Sequence, residues 1–195
     1  MRELRLETLT GPAITAVLEH LAQLRISVFR APPYLYDGDV ASEAGHLAAF
    51  AASPRAGMVV AWDGEAAVGC STCLPLSEAG ASVAAPFLAR GWELGRFFYF
   101  GESVLLPDYR GRGIGVRFFA AREAHAKAVS NAEWACFCAV IRDAEPDLAP
   151  FWRNRGFTPY PDLVCRMRWK QVDTSDEVEN RLSFWIKPLH GTALP

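Results

Sequence analysis

Hydrophobic and polar positions switch period several times along this chain, and each switch marks an element. Residues 2–9, RELRLETL, alternate charged and apolar side chains, the period of a half-buried strand. Gly11-Pro12 breaks that pattern, after which Ile14, Val17, Leu18, Leu21, Leu24 and Val28 recur at helical spacing. The prolines and Asp-Gly of APPYLYDGD predict a loop, and SEAGHLAAFAAS, with a Ser start signal and an Ala-rich body, predicts a second helix. GMVVAW and AAVGCSTCLPL flank Asp63-Gly64 and read as two strands of a tight hairpin. SVAAPFLARG predicts a short extra helix.

From Phe97 to Leu106 the chain is almost wholly apolar and aromatic, which suits a central strand covered on both faces. The glycines between 111 and 115 lead into a segment in which Ile114, Phe118, Ala121 and His125 share one helical face, and WACFCAVI follows as another buried strand. Strand, glycine turn, helix and strand in that order form a parallel crossover, which is strongly biased to the right-handed form. The remainder predicts a helix at DLAPFWRNRG and two closing strands, LVCRMRWKQV and RLSFWIKPL, separated by the polar VDTSDEVEN. These elements make an α/β chain whose 195 residues are expected to form one domain over residues 1–195.

Composition narrows the partners. Hydrophobic residues at 51% and charged residues at 22% give a globular balance, and a formal net charge of -2 provides no positive field for nucleic acid or an anionic membrane surface. The N-terminus lacks the apolar core of a signal peptide and no apolar run is long enough to span a bilayer, so a soluble, cytoplasmic protein is expected. The five cysteines are an odd number set in strand-like apolar runs, as buried thiols of a reducing compartment would be. Strand alternation points Cys70 and Cys73 to opposite faces, and no His cluster accompanies Cys136 and Cys138, so no metal is expected.

The segment ESVLLPDYRGRGIGVRFFAA carries the most chemistry. It leads a buried strand through Gly111, Gly113 and Gly115 directly into a helix, so that backbone N–H groups can converge on one point with no side chains in the way. The helix dipole adds roughly half a positive charge there, and Arg110 and Arg112 add two full ones, which makes a pyrophosphate the natural ligand. A Walker loop is excluded because no Gly-Lys-Ser/Thr follows, and the dinucleotide fingerprint fails because Val116 stands where its third glycine belongs. What remains is Arg110-x-x-Gly113-x-Gly115.

With that signature, the string LPDYRGRGIG and the later FWRNRGF, the chain resembles the GNAT superfamily of acyl-CoA-dependent N-acetyltransferases over most of its length. The resemblance implies a mixed, mostly antiparallel central sheet with one parallel, splayed pair of strands, flanked by helices. It implies acetyl-CoA as co-substrate and a primary amine, of a small molecule or a peptide, as acceptor. It further implies that backbone groups of Val104, Leu105 and Leu106 pair with the pantetheine arm. Gly111, Arg112, Gly113, Ile114, Gly115 and Val116 would wrap the pyrophosphate, with Arg110 bracing the turn. The loop holding Tyr34, Tyr36 and Asp37, with Asp39 and Glu43 beyond, borders the acceptor groove in that family, and its aromatic faces and carboxylates suit a cationic amine.

Acyl transfer to an amine needs a group to remove a proton and donors to stabilise an oxyanion. Glu102, a lone carboxylate inside FYFGESVLL, is the first candidate for the base, since burial favours its neutral form and raises its proton affinity. An ion pair with Arg96 or another cation is the competing reading, and Tyr99, or a water it holds, is the alternative base. Trp152 stands where many relatives carry the tyrosine that protonates the leaving thiolate, so Tyr99, Tyr109 or Tyr160 substitutes, or the thiolate leaves unassisted. That departure keeps open a second class of function, a non-catalytic acyl-CoA sensor. His125 lies on an apolar helical face and reads as a packed imidazole, and RLSFWIKPL offers a strand edge on which a homodimer could form.

Overall fold

A computed structural model describes residues 4–141 and 147–195. Its seven strands, β1 (Arg5–Leu9), β2 (Gly57–Asp63), β3 (Ala66–Pro75), β4 (Phe97–Leu105), β5 (Trp134–Val140), β6 (Thr158–Lys170) and β7 (Glu177–Pro188), form one sheet in the order β1-β2-β3-β4-β5-β7-β6. Every neighbouring pair is antiparallel except β4 and β5. The mixed α/β architecture with a single parallel pair is therefore as the sequence predicts. Residues 2 and 3 of the expected first strand lie outside the described residues.

Helices cover both faces. On one face α1 (Pro12–Thr15), α2 (Leu18–Phe29) and α3 (Val40–Ala52) close a core around Ile14, Leu21, Leu47, Met58, Val60 and Val104. On the same face α4 (Ala81–Ala89), formed by the extra segment, buries Val83 and Phe87 against Phe97, Phe184 and Cys165. Tyr99 packs against both of these clusters and so marks the seam between them. The opposite face carries α5 (Ile114–Val129) and α6 (Ala149–Arg153), with Phe118 over β2 and β3 and Phe119 among Phe98, Phe100, Phe137 and Phe157. Cys70 and Cys73 fall in clusters on opposite faces, as strand alternation requires.

Several local expectations are corrected. The first helix is two pieces, because Val17 leaves helical geometry at φ -118°, ψ 4°; the apolar spacing continues across the break since Ile14 and Leu21 bury into one core. The second helix starts at Val40 and not at Ser42: Asp39 is the cap, its Oδ1 accepting the Ser42 N–H at 2.9 Å. The last two strands start earlier than expected, β6 at Thr158 and β7 at Glu177 within the expected polar linker, where Glu177 to Arg181 pairs with Lys170 to Arg166 and cross-strand ion pairs such as Arg166 with Glu179 replace apolar contacts. The expected dimer edge is overturned by the topology: β7 lies between β5 and β6, and the outer strands are β1 and β6.

Candidate active site

Two irregularities in β4 build the site. The parallel pairing with β5 lasts only from Phe97 opposite Trp134 to Tyr99 opposite Cys136, after which β5 continues against β7 alone. Beyond Tyr99 the β5-side edge of β4 is therefore open. Val104 lies opposite Cys70 and Leu106 donates its N–H to the Val68 carbonyl at 3.0 Å, so both turn their hydrogen-bonding groups toward β3. By the same alternation Leu105, between them, turns its groups toward the open edge, where its carbonyl lies 3.4 Å from Arg110 Nε.

The second irregularity is a bulge. Ser71 lies opposite Ser103 while Cys73 lies opposite Phe100, so Gly101 and Glu102 share the place facing Thr72. Only glycine fits at 101, because a Cβ there would stand 2.3 Å from Thr72 Oγ1. The extra residue puts Glu102 on the face of Tyr99 and Val104, beneath α2 and α3. There its Oε1 pairs with Arg25 Nη1, and Arg25 Nε binds Glu43 Oε2. Tyr36 closes the network by donating its hydroxyl to Glu43 Oε1 at 2.6 Å. The Glu102 side chain is 13% exposed and that of Arg25 7%.

Charge balance sets the protonation states. Burial opposes the charge on Glu102, but the Arg25 guanidinium, helped by His46, outweighs it and holds the carboxyl well below the usual range. The expected rise in proton affinity is thus reversed, and the cation is Arg25; Arg96 instead pairs with Glu133 at 2.7 Å. One guanidinium against two carboxylates leaves the buried cluster with one net negative charge. Tyr99, whose hydroxyl lies 3.3 Å from Cys138 Sγ, is pushed well above its ordinary pKa by burial first and then by Cys138, so it remains protonated. Behind the sheet Arg122 is buried between Phe100 and Phe119, with ring centroids 4.6 and 4.5 Å away, and burial lowers its pKa to about 10.

At the far end of β4 the glycine turn feeds α5. Gly111 and Gly113 take φ of 73° and 75°, a conformation that disfavours side chains, and nothing lies within 4 Å of where either Cβ would be. The first N–H bonded within the helix is that of Arg117, to the Gly113 carbonyl at 3.2 Å. The N–H groups of Ile114, Gly115 and Val116 therefore have no partner inside the helix, and they stand beside the open space over Gly111 and Gly113. Arg112 Nη2 donates to the Asp108 carbonyl at 2.7 Å, and its guanidinium lies over Tyr109, whose hydroxyl donates to Asp63 at 2.8 Å.

The remaining sequence candidates divide. Tyr34 packs on Phe29 and Trp169, with burial pushing its hydroxyl up to about 12. Asp37 is held by Arg30 and Lys170, each at 2.9 Å, and pins the loop to the end of β6. Tyr36 and Asp37 thus spend their polar groups inside the protein. Trp152 packs edge-on against Phe137 and Trp185, both at 5.1 Å, and lines a cavity of about 330 Å³ with Val140, Ser183 and Trp185. Tyr160 reaches the Pro195 carbonyl at 3.3 Å, so of the three substitute tyrosines only Tyr99 stands at the splay. His125 is the packed residue expected, 3.0 Å from the Arg55 carbonyl. Among the described residues no group of three or more His, Cys, Asp or Glu could hold a metal, and no helix is long and apolar enough to cross a membrane.

Arg25 and His46 escaped the sequence reading. Arg25 did leave a signal, a charge four residues after Leu21 and three before Val28 on the buried stripe of its helix. His46 left none, because only the path of α3 over β4 brings its Nε2 within 3.9 Å of Glu102 Oε2.

Residues 18–157 match the family model described as the acetyltransferase (GNAT) family. No curated protein matches the chain. Among solved structures, yncA from Salmonella typhimurium, determined with its cofactor acetyl-CoA, is similar at a TM-score of 0.62 and 11% identity, covering 100% of this chain and 98% of its own. An N-acetyltransferase from Staphylococcus aureus Mu50 is similar at a TM-score of 0.64 and 10% identity, covering 96% of this chain and 99% of its own. A ribosomal-protein-alanine N-acetyltransferase from Brucella melitensis gives a TM-score of 0.62 and 14% identity over 94% of this chain and 99% of its own.

Proposed function

The chain belongs to the acetyltransferase (GNAT) family, and from that premise we propose that it moves an acetyl group from acetyl-CoA to a primary amine by direct attack. The observation that carries this reading is the edge of β4. It loses β5 after Tyr99 and runs, open, to the N-terminus of α5. An extended thioester arm lying along such an edge pairs with the backbone of Leu105, while its phosphates meet the N–H groups of Ile114, Gly115 and Val116 over Gly111 and Gly113. Arg110 braces the turn through Leu105, and Arg112 adds charge beside it. The bound co-substrate supplies the activated acetyl group.

The amine reading is supported by the charge of the cluster under the splay. With two carboxylates on one guanidinium, its net negative charge favours an ammonium at the mouth of the site. Glu102 serves there as a fixed anion, and Tyr99, which burial keeps protonated, gives its proton to the leaving thiolate in the role that Trp152 cannot fill. Of the expected acceptor-loop residues, Tyr34 contributes a wall, whereas Tyr36 and Asp37 hold the loop in place. The competing reading, a non-catalytic sensor, draws on Trp152 alone.

Thiol release from acetyl-CoA in the presence of a panel of primary amines tests the proposal, with a thermal shift by acetyl-CoA measured in parallel. Catalytic release with at least one amine is expected, together with a raised melting temperature. Binding with no release for any polyamine, aminoglycoside, amino acid or peptide N-terminus would favour the sensor.

A further inference from the structure

We infer that His46 is the group that takes the proton from the acceptor amine, with Glu102 as the residue that positions it. This rests on the transferase reading above.

The acceptor's proton needs a base that is accessible and not already committed to a close partner, and the groups around the splay fail that requirement one after another. Glu102 is an ion held by Arg25; Glu43 is bound by Arg25 and Tyr36; Asp37 is bound by Arg30 and Lys170; Tyr99 is already protonated. His46 differs from all of these. Its side chain is 50% exposed, it lies on α3 one turn past Glu43, and its Nε2 stands 3.9 Å from the Glu102 oxygen that Arg25 does not hold. Phe50, one turn further, meets the imidazole edge-on at 5.7 Å and limits its rotation.

A small closure of that 3.9 Å gap lets Nε2–H donate to Glu102, which leaves the lone pair on Nδ1. The charged groups facing His46 are Glu102 on β4, Arg25 behind it on α2 and Glu43 on its own helix. Their net negative charge stabilises the imidazolium as it forms, the part a buried carboxylate plays beside a catalytic histidine. The ammonium first gives one proton to solvent; the neutral amine nitrogen then bonds to the thioester carbon, the carbon–sulfur bond breaks, a further amine proton passes to His46, and the thiolate takes the Tyr99 proton. Solvent then returns a proton from His46 to Tyr99, and amide and free thiol leave.

The test uses the full chain with an amine that the wild type acetylates. His46→Gln keeps a side-chain amide to meet Glu102 but cannot act as a base. Its kcat/KM is expected to fall by roughly 10²- to 10⁴-fold near neutral pH, with acetyl-CoA binding and melting temperature unchanged. The wild type is expected to lose activity toward acid pH and His46→Gln to lack the part of that fall due to the base, and added imidazole is expected to restore part of the activity of His46→Ala. Wild-type kcat/KM with an unaltered pH profile in His46→Gln overturns the inference. So does a loss of activity that leaves the pH profile in place and that imidazole does not relieve, which is the behaviour of a merely structural residue. A wild type that binds acetyl-CoA yet acetylates no amine overturns the proposed function, and the inference with it.

Discussion

Arg25 is the residue on which the site depends. Its guanidinium pairs with Glu102 and Glu43 together, on side chains exposed by 13% and 4%, so removing it strands two buried carboxylates without that cation. Arg25→Met keeps much of the apolar stem, which isolates the charge from the packing. It should cost about 3–5 kcal/mol, the scale of a broken buried pair, read as a lower urea midpoint. Turnover should fall with it, because Glu102 would then take up a proton and cease to hold His46. A variant as stable as the wild type would show that the ion pair contributes nothing to folding. Glu102 also shows the limit of reading single residues: a lone carboxylate in an apolar strand suggests a raised pKa, and one cation from a distant helix reverses the direction.

At the scale of elements the glycine turn does two jobs that one substitution can separate. Gly113 is the N-cap of α5 in the left-handed region, and a side chain there meets no neighbour, so its strain comes from the backbone alone. Gly113→Val should lose about 1–2 kcal/mol of stability from φ. Acetyl-CoA affinity should fall by tenfold or more, about 1.4 kcal/mol, since the new methyls occupy the approach of the phosphates. Urea unfolding and calorimetric titration measure the two losses. Normal binding by a destabilised variant would put the pyrophosphate elsewhere. The bulge in β4 acts at the same scale, for without the extra residue at Gly101 and Glu102 the carboxylate would lie on the face of Phe100 and Ser103, away from Arg25.

For the whole molecule the buried cluster ties stability to pH. A carboxyl whose folded pKa lies below its unfolded value of about 4.5 contributes stability that is complete above that value and fades as the pH falls through the folded one. Glu102→Gln removes this contribution at every pH. The difference in unfolding free energy between wild type and Glu102→Gln should be largest near pH 7 and should narrow at pH 3, as measured by urea titration. A gap that stays constant with pH would mean that Glu102 is not an ion in the folded protein. Family membership, drawn from residues 18–157, leaves β1, α1 and the whole β6–β7 hairpin outside the match, yet all of these strands join the same sheet.

The sequence by itself determined the order of elements, the central strand and the glycine turn, because hydrophobic period and the φ requirements of glycine are local properties. It also placed Glu102 and Tyr99 on the strand that forms the site, since a charge or a hydroxyl within an apolar run is visible without any partner. Only the tertiary structure decided what those groups are. Whether Glu102 is an acid or an ion depends on Arg25, 77 positions away in the chain, and whether it faces α2 at all depends on a bulge that no spacing announces. The place of β7 inside the sheet, the retirement of Tyr36 and Asp37 into structural bonds and the arrival of His46 beside Glu102 have the same origin. Each is set by which distant segments pack together, and electrostatic energy depends on distance through space, not along the chain.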